Sequence, residues 1–425
     1  MRILVVSAIW PHGEHSMRAA NIVISEMILA LSRQFNIKVG LLIAGNGAAV
    51  EIGKSEEKGI DALKHAGVDV LEPIVLARSY TKRPLWQRIL LPKITDWYPA
   101  CADGALLAHA AKTWQADVIL VPWSEWLTHA CSEIPVVKFA YYGNPDPKAT
   151  RTQLNLRRRI GEITFMRLCI EKILVNRFER IHLQIMNKYE LLGNVAKNDA
   201  EYYSGKGHRN AFYIQNIWMK PLVEFERSNE SEARPIKITG SLGKLGGTAN
   251  TLGLEYLGNE VLPALDNVLK GRPYEVHILG SGKPHKISAN ALKHPSVVWR
   301  GFVEDIDKEI QHCDVFLCVN NATEYKVGHT RYLHAWSLSA PVVAHRDASL
   351  SMPEIRHNVN ALLGGSGIEI AQQIGNLVMD RKLCERIREN GLKTFNGEFT
   401  ADRVASTIVS KLYEYMESKT QLAMS

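Results

Sequence analysis

Short apolar segments alternate with amphipathic ones along the first half of the chain. The first apolar segment, residues 2–7, is followed by a turn-rich stretch and by a helical pattern over residues 17–33. Further strands are predicted at residues 37–43, 117–122 and 135–141, with a helix at 125–132. Strand, helix and strand units of this length are typical of a parallel sheet that helices cover on both faces.

The alternation stops over residues 220–235, a polar stretch interrupted by proline, and then restarts. The second half predicts strands at residues 236–240, 275–280, 297–301, 315–319 and 341–344, and helices at 251–269, 304–312 and 329–339. From residue 368 onward the pattern is almost wholly helical. We therefore predict an α/β fold with two doubly wound domains, residues 1–222 and 235–400, and a C-terminal helix, 401–425, that packs back toward the first domain.

Composition supports a globular protein that is made and kept in the cytoplasm. The 425 residues are too many for one ordinary core, and 46% are hydrophobic against 22% charged. The apolar start of the chain is too short for a signal peptide, and no apolar run approaches the roughly 18 residues of a membrane helix. The six cysteines are scattered without a zinc-ligand spacing, so no metal site is predicted.

Ligands of doubly wound domains bind at the carboxyl ends of the strands, so the turns there are the candidate sites. The turn over residues 239–248 carries four glycines and a lysine between a strand and a helix, which suits a pyrophosphate. A plain flexible loop remains an alternative, and the P-loop pattern is absent. Two later turns follow strands in the same way, and the second of them, residues 298–306, has a simple strand-to-helix turn as its alternative. The candidate ligand-binding residues of the three turns are Gly240, Ser241, Lys244, Gly246, Gly247, Gly280, Gly282, Phe302 and Val303.

A fourth candidate turn, residues 320–335, carries a cluster of charged and imidazole side chains before a predicted helix. Arg331 and His334 are three positions apart and therefore share a helix face. A guanidinium near a helix N-terminus suits a diphosphate, which it can bind through two parallel hydrogen bonds. The alternative is a solvated polar helix start.

The order of these pieces resembles the nucleotide-sugar domain of retaining GT-B glycosyltransferases of the group-1, family-4-like type. The resemblance covers residues 235–364, and its pieces are the glycine turn at Gly240, I-L-G-S-G at 278–282, V-x-x-x-G-F-V at 297–303, C-D-V-F-L at 313–317, A-P-V-V-A at 340–344 and P-E-I-x-x-x-x-N-A-L-L at 353–363. It implies a GT-B fold, in which two Rossmann-like domains face a cleft, with the acceptor on the first domain. It also implies a UDP- or GDP-type sugar donor on the second domain, with no metal or other cofactor required.

The chain departs from this family where the donor sugar is recognised. The family's two glutamates, eight positions apart, fall on Lys326 and His334. Glu324 lies two residues from the first position and is the candidate substitute, and His334 is a candidate for hydrogen bonding to the ribose. The family's arginine after the first glycine is Ser241, its loop lysine is represented by Lys244, and Arg331 matches a basic residue of one branch. The diphosphate site is therefore predicted to be present, and the part that binds the sugar to be altered.

The first domain is expected to hold the acceptor. Tyr142 takes the position of a histidine that lies beside the sugar in retaining relatives, in which the donor phosphate is thought to accept the acceptor proton. An inverting mechanism needs a general base, for which His12 and His15 are candidates. Retention is favoured over inversion, and both remain open. Arg18, Asn144 and Asp146 are candidates for acceptor or phosphate binding, with ordinary surface positions as their alternative.

Two basic segments bear on the partners of the protein. Residues 78–93 contain five basic and no acidic residues, and residues 151–180 contain eight basic and three acidic ones. Large apolar residues are interleaved in both, which suits an anionic membrane surface, with solvated helix faces as the alternative. Nucleic acid is not an expected partner, because no nucleic-acid-binding fold accompanies the charge.

These observations predict a glycosyltransferase that moves a sugar to a glycan or lipid-linked acceptor in the synthesis of cell-surface polysaccharide or glycoconjugate. The protein would act in the cytoplasm, peripherally on the inner face of the membrane. A GT-B epimerase or phosphorylase is one alternative. Another is a degenerate GT-B protein that binds a nucleotide sugar or a partner without turnover.

Overall fold

The chain divides into two compact units in a computed structural model that describes residues 1–11, 19–45, 52, 54–76, 78–79, 83–98, 100–101, 104–221, 234–240 and 242–424. The first unit comprises Met1–Met219 and Thr400–Ser425, and the second comprises Lys220–Phe399. Each unit has its own parallel sheet and its own hydrophobic core.

The first unit is built on an eight-stranded sheet. Its strands are β1 (Arg2–Ser7), β2 (Lys38–Gly45), β3 (Asp69–Val70), β4 (Ile74–Val75), β7 (Val118–Pro122), β8 (Val137–Tyr142), β9 (Leu191–Asn194) and β10 (Ala211–Tyr213), and β5 (Arg78–Ser79) and β6 (Ala100–Cys101) form a separate antiparallel pair. The order is β10-β9-β8-β7-β1-β2-β3, with β4 also paired to β2. The central strands are buried on both faces, which is why they are continuous apolar runs in the sequence.

Helices cover this sheet. They are α1 (Ala19–Ser32), α2 (Lys54–His65), α3 (Leu85–Leu90), α4 (Gly104–Thr113), α5 (Glu125–Cys131), α6 (Asp146–Arg159), α7 (Phe165–Met186), α8 (Lys197–Gly205) and the C-terminal α17 (Ala401–Met424), with a short 3-10 turn at Ile94–Asp96. Val404, Ile408 and Leu412 of α17 are buried in the same core as Met27 and Leu31 of α1. The C-terminal helix is thus an integral part of the first unit.

The second unit has a six-stranded parallel sheet. Its strands are β11 (Ile236–Gly240), β12 (Tyr274–Leu279), β13 (Val297–Gly301), β14 (Val315–Cys318), β15 (Val342–His345) and β16 (Leu362–Gly364), in the order β13-β12-β11-β14-β15-β16. Its helices are α9 (Thr248–Tyr256), α10 (Leu262–Leu269), α11 (Lys286–Ala291), α12 (Ile306–Gln311), α13 (Thr330–Ser337), α14 (Ala348–Ser351), α15 (Gly367–Met379) and α16 (Arg381–Glu398), with a π-helical turn at Leu257–Val261 and a 3-10 turn at Asn320–Ala322.

The strand order fixes where each unit has its topological switch point. In the second sheet the chain runs outward from β11 through β12 to β13, and then returns to the other side of β11 as β14. In the first sheet the same reversal separates β1 from β7. Ligands of open α/β sheets bind outside the carboxyl ends of the two strands at such a point. The turns after β11 and β14, and those after β1 and β7, are therefore the places for a site.

The predicted α/β fold with two doubly wound sheets is confirmed, and the predicted strands begin and end within two residues of the observed ones. The predicted helices agree similarly, except that the helix predicted at 251–269 begins three residues earlier, at Thr248, and contains the π-helical turn. In the first unit, α2 to α4 and α6 to α8 were not predicted from the sequence. Short strands were not predicted, among them β3, β4, β9, β10 and β16. These have only two to four residues, too few for a period to be recognised in the sequence. Among the helices of the described ranges, none is both long enough and apolar enough to cross a bilayer.

Candidate functional site

Two glycine-rich turns lie side by side at the carboxyl end of the second sheet, residues 242–247 after β11 and residues 280–283 after β12. The backbone N–H of Leu245 donates to the carbonyl oxygen of Ser281 at 2.9 Å. The N–H of Ser281 donates in turn to the carbonyl oxygen of Gly243, also at 2.9 Å. Because each turn is hydrogen-bonded to the other, they form one backbone platform beside the switch point.

Gly280 allows the two turns to approach this closely. Its φ of 146° lies in a region that side chains rarely adopt, and a β-carbon there would lie 2.3 Å from the carbonyl oxygen of Gly243. Gly247, which precedes α9, brings no side chain to cap the helix. The N–H groups of the first turn of α9 therefore remain available for an anion.

Arg331 reaches this platform from the first turn of α13. Its Nη2 donates to Oδ1 of Asn250 at 2.7 Å, and it lies 4.0 Å from where a β-carbon of Gly243 would be. Its Nη1 is buried and has no hydrogen-bond partner among the described residues. Burial lowers the pKa of the guanidinium, but an arginine stays charged in a protein. Within the described part of the chain, no carboxylate pairs with Arg331.

Two asparagines hold this arginine and join the elements around it. Nδ2 of Asn250 donates to the carbonyl oxygen of Lys244 at 2.8 Å. Nδ2 of Asn320 donates to Oδ1 of Asn250 at 3.1 Å and to the carbonyl oxygen of Ala249 at 2.9 Å. The glycine platform, the start of α9 and the end of β14 are thus tied together at the switch point. Neither asparagine was identified from the sequence, although polar residues next to strand ends at a switch point are a usable signal.

Other cations line the platform. Lys244 and Lys283 are exposed, and neither makes an ion pair with any described residue. His329, which precedes α13, is buried and neutral, because burial, and secondarily Arg331, lowers the pKa of its imidazole well below the usual value. A buried guanidinium and two exposed ammonium groups without carboxylates, beside the uncapped N-terminus of α9, can hold an anion.

The residues at the positions of the altered glutamates each contact an aspartate. Nε2 of His334 lies 2.6 Å from Oδ1 of Asp307, the second residue of α12. Lys326 is ion-paired with Asp347, which follows β15. Glu324 is exposed in the segment before α13. Asp307 and Asp347 were not identified from the sequence, because each lies in a different turn from its partner.

The remaining donor-site candidates lie at the outer strand of the sheet. Phe302 follows β13 and is 72% exposed, and Val303 beside it is half-buried. The structure thus brings together Gly240, Lys244, Gly246, Gly247, Gly280, Gly282 and Arg331, with His334 one helical turn further along α13. Ser241 lies outside the described residues.

The first unit places its candidate residues less compactly. Tyr142 is buried at the end of β8, and its ring packs against those of His182 and Tyr203. Burial lowers the pKa of His182 to about 3, so this cluster is uncharged. Asp146 begins α6 and accepts a hydrogen bond from the hydroxyl of Tyr98. Asn144, in the turn between them, is half-buried. His12, His15 and Arg18 lie outside the described residues.

One feature of the first switch point was not predicted from the sequence. Trp123, directly after β7, has a φ of 45°, a left-handed conformation that is strained for a bulky residue. Its ring stacks on that of Tyr141, and the hydroxyl of the neighbouring Ser124 is buried without a partner among the described residues. Strain of this kind is concentrated at binding sites. In the described part of the chain, no three His, Cys, Asp or Glu side chains cluster as metal ligands.

Comparison with known proteins finds one family that matches a part of the second unit. Residues 237–380 match the family described as "Glycosyl transferases group 1". The glycine platform and Arg331 lie inside this matched region of the second unit. No curated protein matches the chain in sequence.

Solved structures resemble the chain over nearly its whole length. HepE from Anabaena, crystallised with UDP and glucose, has 16% identity and a TM-score of 0.58, covering 97% of this chain and 99% of that one. The lipopolysaccharide outer core galactosyltransferase WaaB has 11% identity and a TM-score of 0.55, covering 99% and 100%. A putative UDP-N-acetylglucosamine 2-epimerase from Listeria monocytogenes has 10% identity and a TM-score of 0.50, covering 98% and 97%. At these identities the likeness establishes the fold, which is the two-domain, Rossmann-like GT-B fold.

Proposed function

We propose that the chain is a glycosyltransferase whose second unit binds a nucleoside-diphosphate sugar and whose first unit binds the acceptor. The observation that carries this proposal is Arg331, a buried cation with one unpartnered nitrogen and no carboxylate, held by Asn250 beside the two glycine turns. A buried charge is costly unless an opposite charge offsets it. The diphosphate of a sugar nucleotide of the UDP or GDP type has the charge and the geometry to do so.

In this proposal the site acts by stabilising the leaving group. As the bond between the sugar and the diphosphate breaks, negative charge grows on the phosphate oxygens. Nη1 of Arg331, the ammonium of Lys244 and the N–H groups at the start of α9 stabilise that charge in place. We propose that these cations take the place of a bound metal ion, as the family resemblance implies.

We propose that His334 and Asp307 bind the ribose, Phe302 and Val303 the base, and Glu324 the sugar. His334 lies on the same helix face as Arg331, one turn away, and the carboxylate of Asp307 is partly exposed, with one oxygen engaged by His334. A carboxylate with free lone pairs accepts hydrogen bonds from a diol. The ion pair of Lys326 with Asp347 supports an altered recognition of the sugar.

We favour retention of configuration at the transferred sugar. In a retaining reaction the donor phosphate takes the proton of the acceptor hydroxyl, so no side chain is required as a base. Tyr142, buried in an uncharged cluster, is consistent with this requirement. Inversion would require His12 or His15 as the base. Asn144, Asp146 and Arg18 remain the proposed acceptor contacts.

For the acceptor we propose a glycan or a lipid-linked glycan in the synthesis of cell-surface polysaccharide or glycoconjugate. The likeness in fold to WaaB, a lipopolysaccharide outer core galactosyltransferase, supports this class. A lipid-linked acceptor requires the enzyme to work peripherally, on the cytoplasmic face of a membrane.

A thermal-shift panel tests the donor site. We expect UDP or GDP, and the matching sugar nucleotide, to raise the unfolding temperature, and CMP and ADP to have little effect. The same diphosphate with a 2′-deoxyribose should give a smaller shift, because a hydroxyl that His334 and Asp307 bind is then missing. If no nucleoside diphosphate shifts the unfolding temperature, the proposed site is wrong.

One alternative function is supported by a specific observation. Two contacts, the ion pair of Lys326 with Asp347 and the hydrogen bond of His334 with Asp307, stand where such enzymes carry glutamates. A protein that binds the nucleotide sugar without turning it over would tolerate this change. Binding experiments do not separate the two functions, whereas turnover does.

A further inference from the structure

The first unit exposes an apolar surface on α7 and α3, two helices that contact one another. Phe165 and Met166 begin α7 and are 66% and 74% exposed, and Ile173 lies two turns further along. Trp86, Leu90 and Leu91, in and after α3, are 59%, 68% and 65% exposed. We call these six residues the apolar surface.

Side-chain contacts on the inner side of the apolar surface join α7 to α3 and to the residues that flank α3. Trp97 stacks on Phe178 of α7 with ring centroids 5.1 Å apart, and the guanidinium of Arg88 lies over the ring of Trp97. Arg83 and Asp96 form a buried ion pair at 2.9 Å. These contacts join α7 to the segment after α3, while the six side chains of the apolar surface remain exposed to the solvent.

The charge around the apolar surface is strongly positive. Each acidic residue of the segment 151–180 is already neutralised, because Glu162, Glu171 and Glu179 pair with Arg157, Arg167 and Arg151. Four further basic residues make no ion pair with any described residue, namely Arg158, Lys172, Arg177 and Arg180. The positive charge of these four is left to the solvent.

We propose that the apolar surface and the four unpaired cations dock the protein on an anionic lipid bilayer. Aromatic and aliphatic side chains enter the boundary between headgroups and acyl chains, while cations beside them bind the negative headgroups. A protein partner would have to supply both an apolar face and acidic side chains. An anionic bilayer has negative headgroups and an apolar interior over its whole surface. The proposal deepens the proposed function by bringing a lipid-linked acceptor to the first unit, but the docking itself does not depend on catalysis.

Sedimentation of the full chain with lipid vesicles tests the docking. We expect the protein to pellet with vesicles of phosphatidylcholine and phosphatidylglycerol, to bind vesicles of phosphatidylcholine alone much more weakly, and to be released by salt. The paired change Lys172→Gln with Arg180→Gln should weaken binding about fivefold per removed cation. The pair Phe165→Ser with Met166→Ser should weaken it at every salt concentration.

Matched controls come from the second unit. Met379, 62% exposed, and Lys382, also exposed, supply Met379→Ser and Lys382→Gln, which should bind vesicles like the unmodified protein. Equal binding to neutral and anionic vesicles, or full binding by both paired variants, would overturn the proposal. So would a change of the paired variants from dimer to monomer, because the surface would then be an interface between copies. The thermal shift with UDP or GDP, measured on the same variants, should be unchanged, which separates this proposal from that of the donor site.

Discussion

Replacing Arg331 by alanine should weaken the binding of the nucleoside diphosphate by about 1.5–3 kcal/mol, the range for hydrogen bonds to charged groups. In the unliganded protein this guanidinium is buried without a carboxylate, so its removal should leave the unfolding temperature unchanged or raise it. Lysine at the same position keeps the charge but loses the planar fork and should give an intermediate affinity. Calorimetry with UDP and GDP, together with thermal unfolding, measures both effects.

The matched control is Arg272→Ala. Arg272 is exposed before β12, at the opposite, amino edge of the sheet, and it makes no ion pair with a described residue. Its removal should leave the affinity as it is. An Arg331→Ala protein that is fully folded and binds the diphosphate as tightly as the unmodified protein would remove Arg331 from the site.

Replacing Gly280 by alanine should cost about 2–4 kcal/mol of unfolding free energy, within the upper part of the range for single substitutions. The added β-carbon would meet the carbonyl oxygen of Gly243 at 2.3 Å, and the φ of 146° is unfavourable for alanine. To relieve the clash the two glycine turns must separate, which breaks the hydrogen bonds between Ser281 and its partners. We therefore expect weaker nucleotide binding as well, measured by urea unfolding and by calorimetry on the same sample.

Gly271→Ala is the control for the backbone conformation alone. Gly271 has a φ of 83°, and a β-carbon there would meet nothing within 4 Å. Its replacement should cost about 1 kcal/mol, the penalty for a left-handed alanine, and leave nucleotide binding intact. Equal losses of stability in the two variants would mean that the close approach of the turns does not depend on Gly280.

The features that could be predicted from the sequence depend on residues that are close together in the chain. A buried parallel strand is a continuous apolar run, so β1, β2 and β7 could be predicted, and their order with the intervening helices gave the doubly wound fold. Glycines that follow such strands mark turns that a ligand can approach. Arg331 could be identified as a candidate anion-binding residue because it lies at the start of a helix that follows a strand.

Contacts between distant parts of the chain could not be predicted. Asn250 and Arg331 are 81 positions apart, and nothing around Asn250 distinguishes it from a surface asparagine. The hydrogen bond between His334 and Asp307 likewise joins two helices that are distant in the sequence. The burial of Tyr142 depends on α7 and α8, which bring His182 and Tyr203 over its ring.

Turnover of a sugar nucleotide tests whether the chain is a transferase. The purified protein is incubated with each UDP- and GDP-sugar, with water alone or with pooled oligosaccharides and lipid-linked glycans as acceptors, and the released nucleoside diphosphate is measured. We predict release from one donor, stimulated by an acceptor and reduced in Arg331→Ala. Tight binding of a donor with no release of nucleoside diphosphate under any of these conditions would exclude the proposed transferase activity and identify the protein as a binding module.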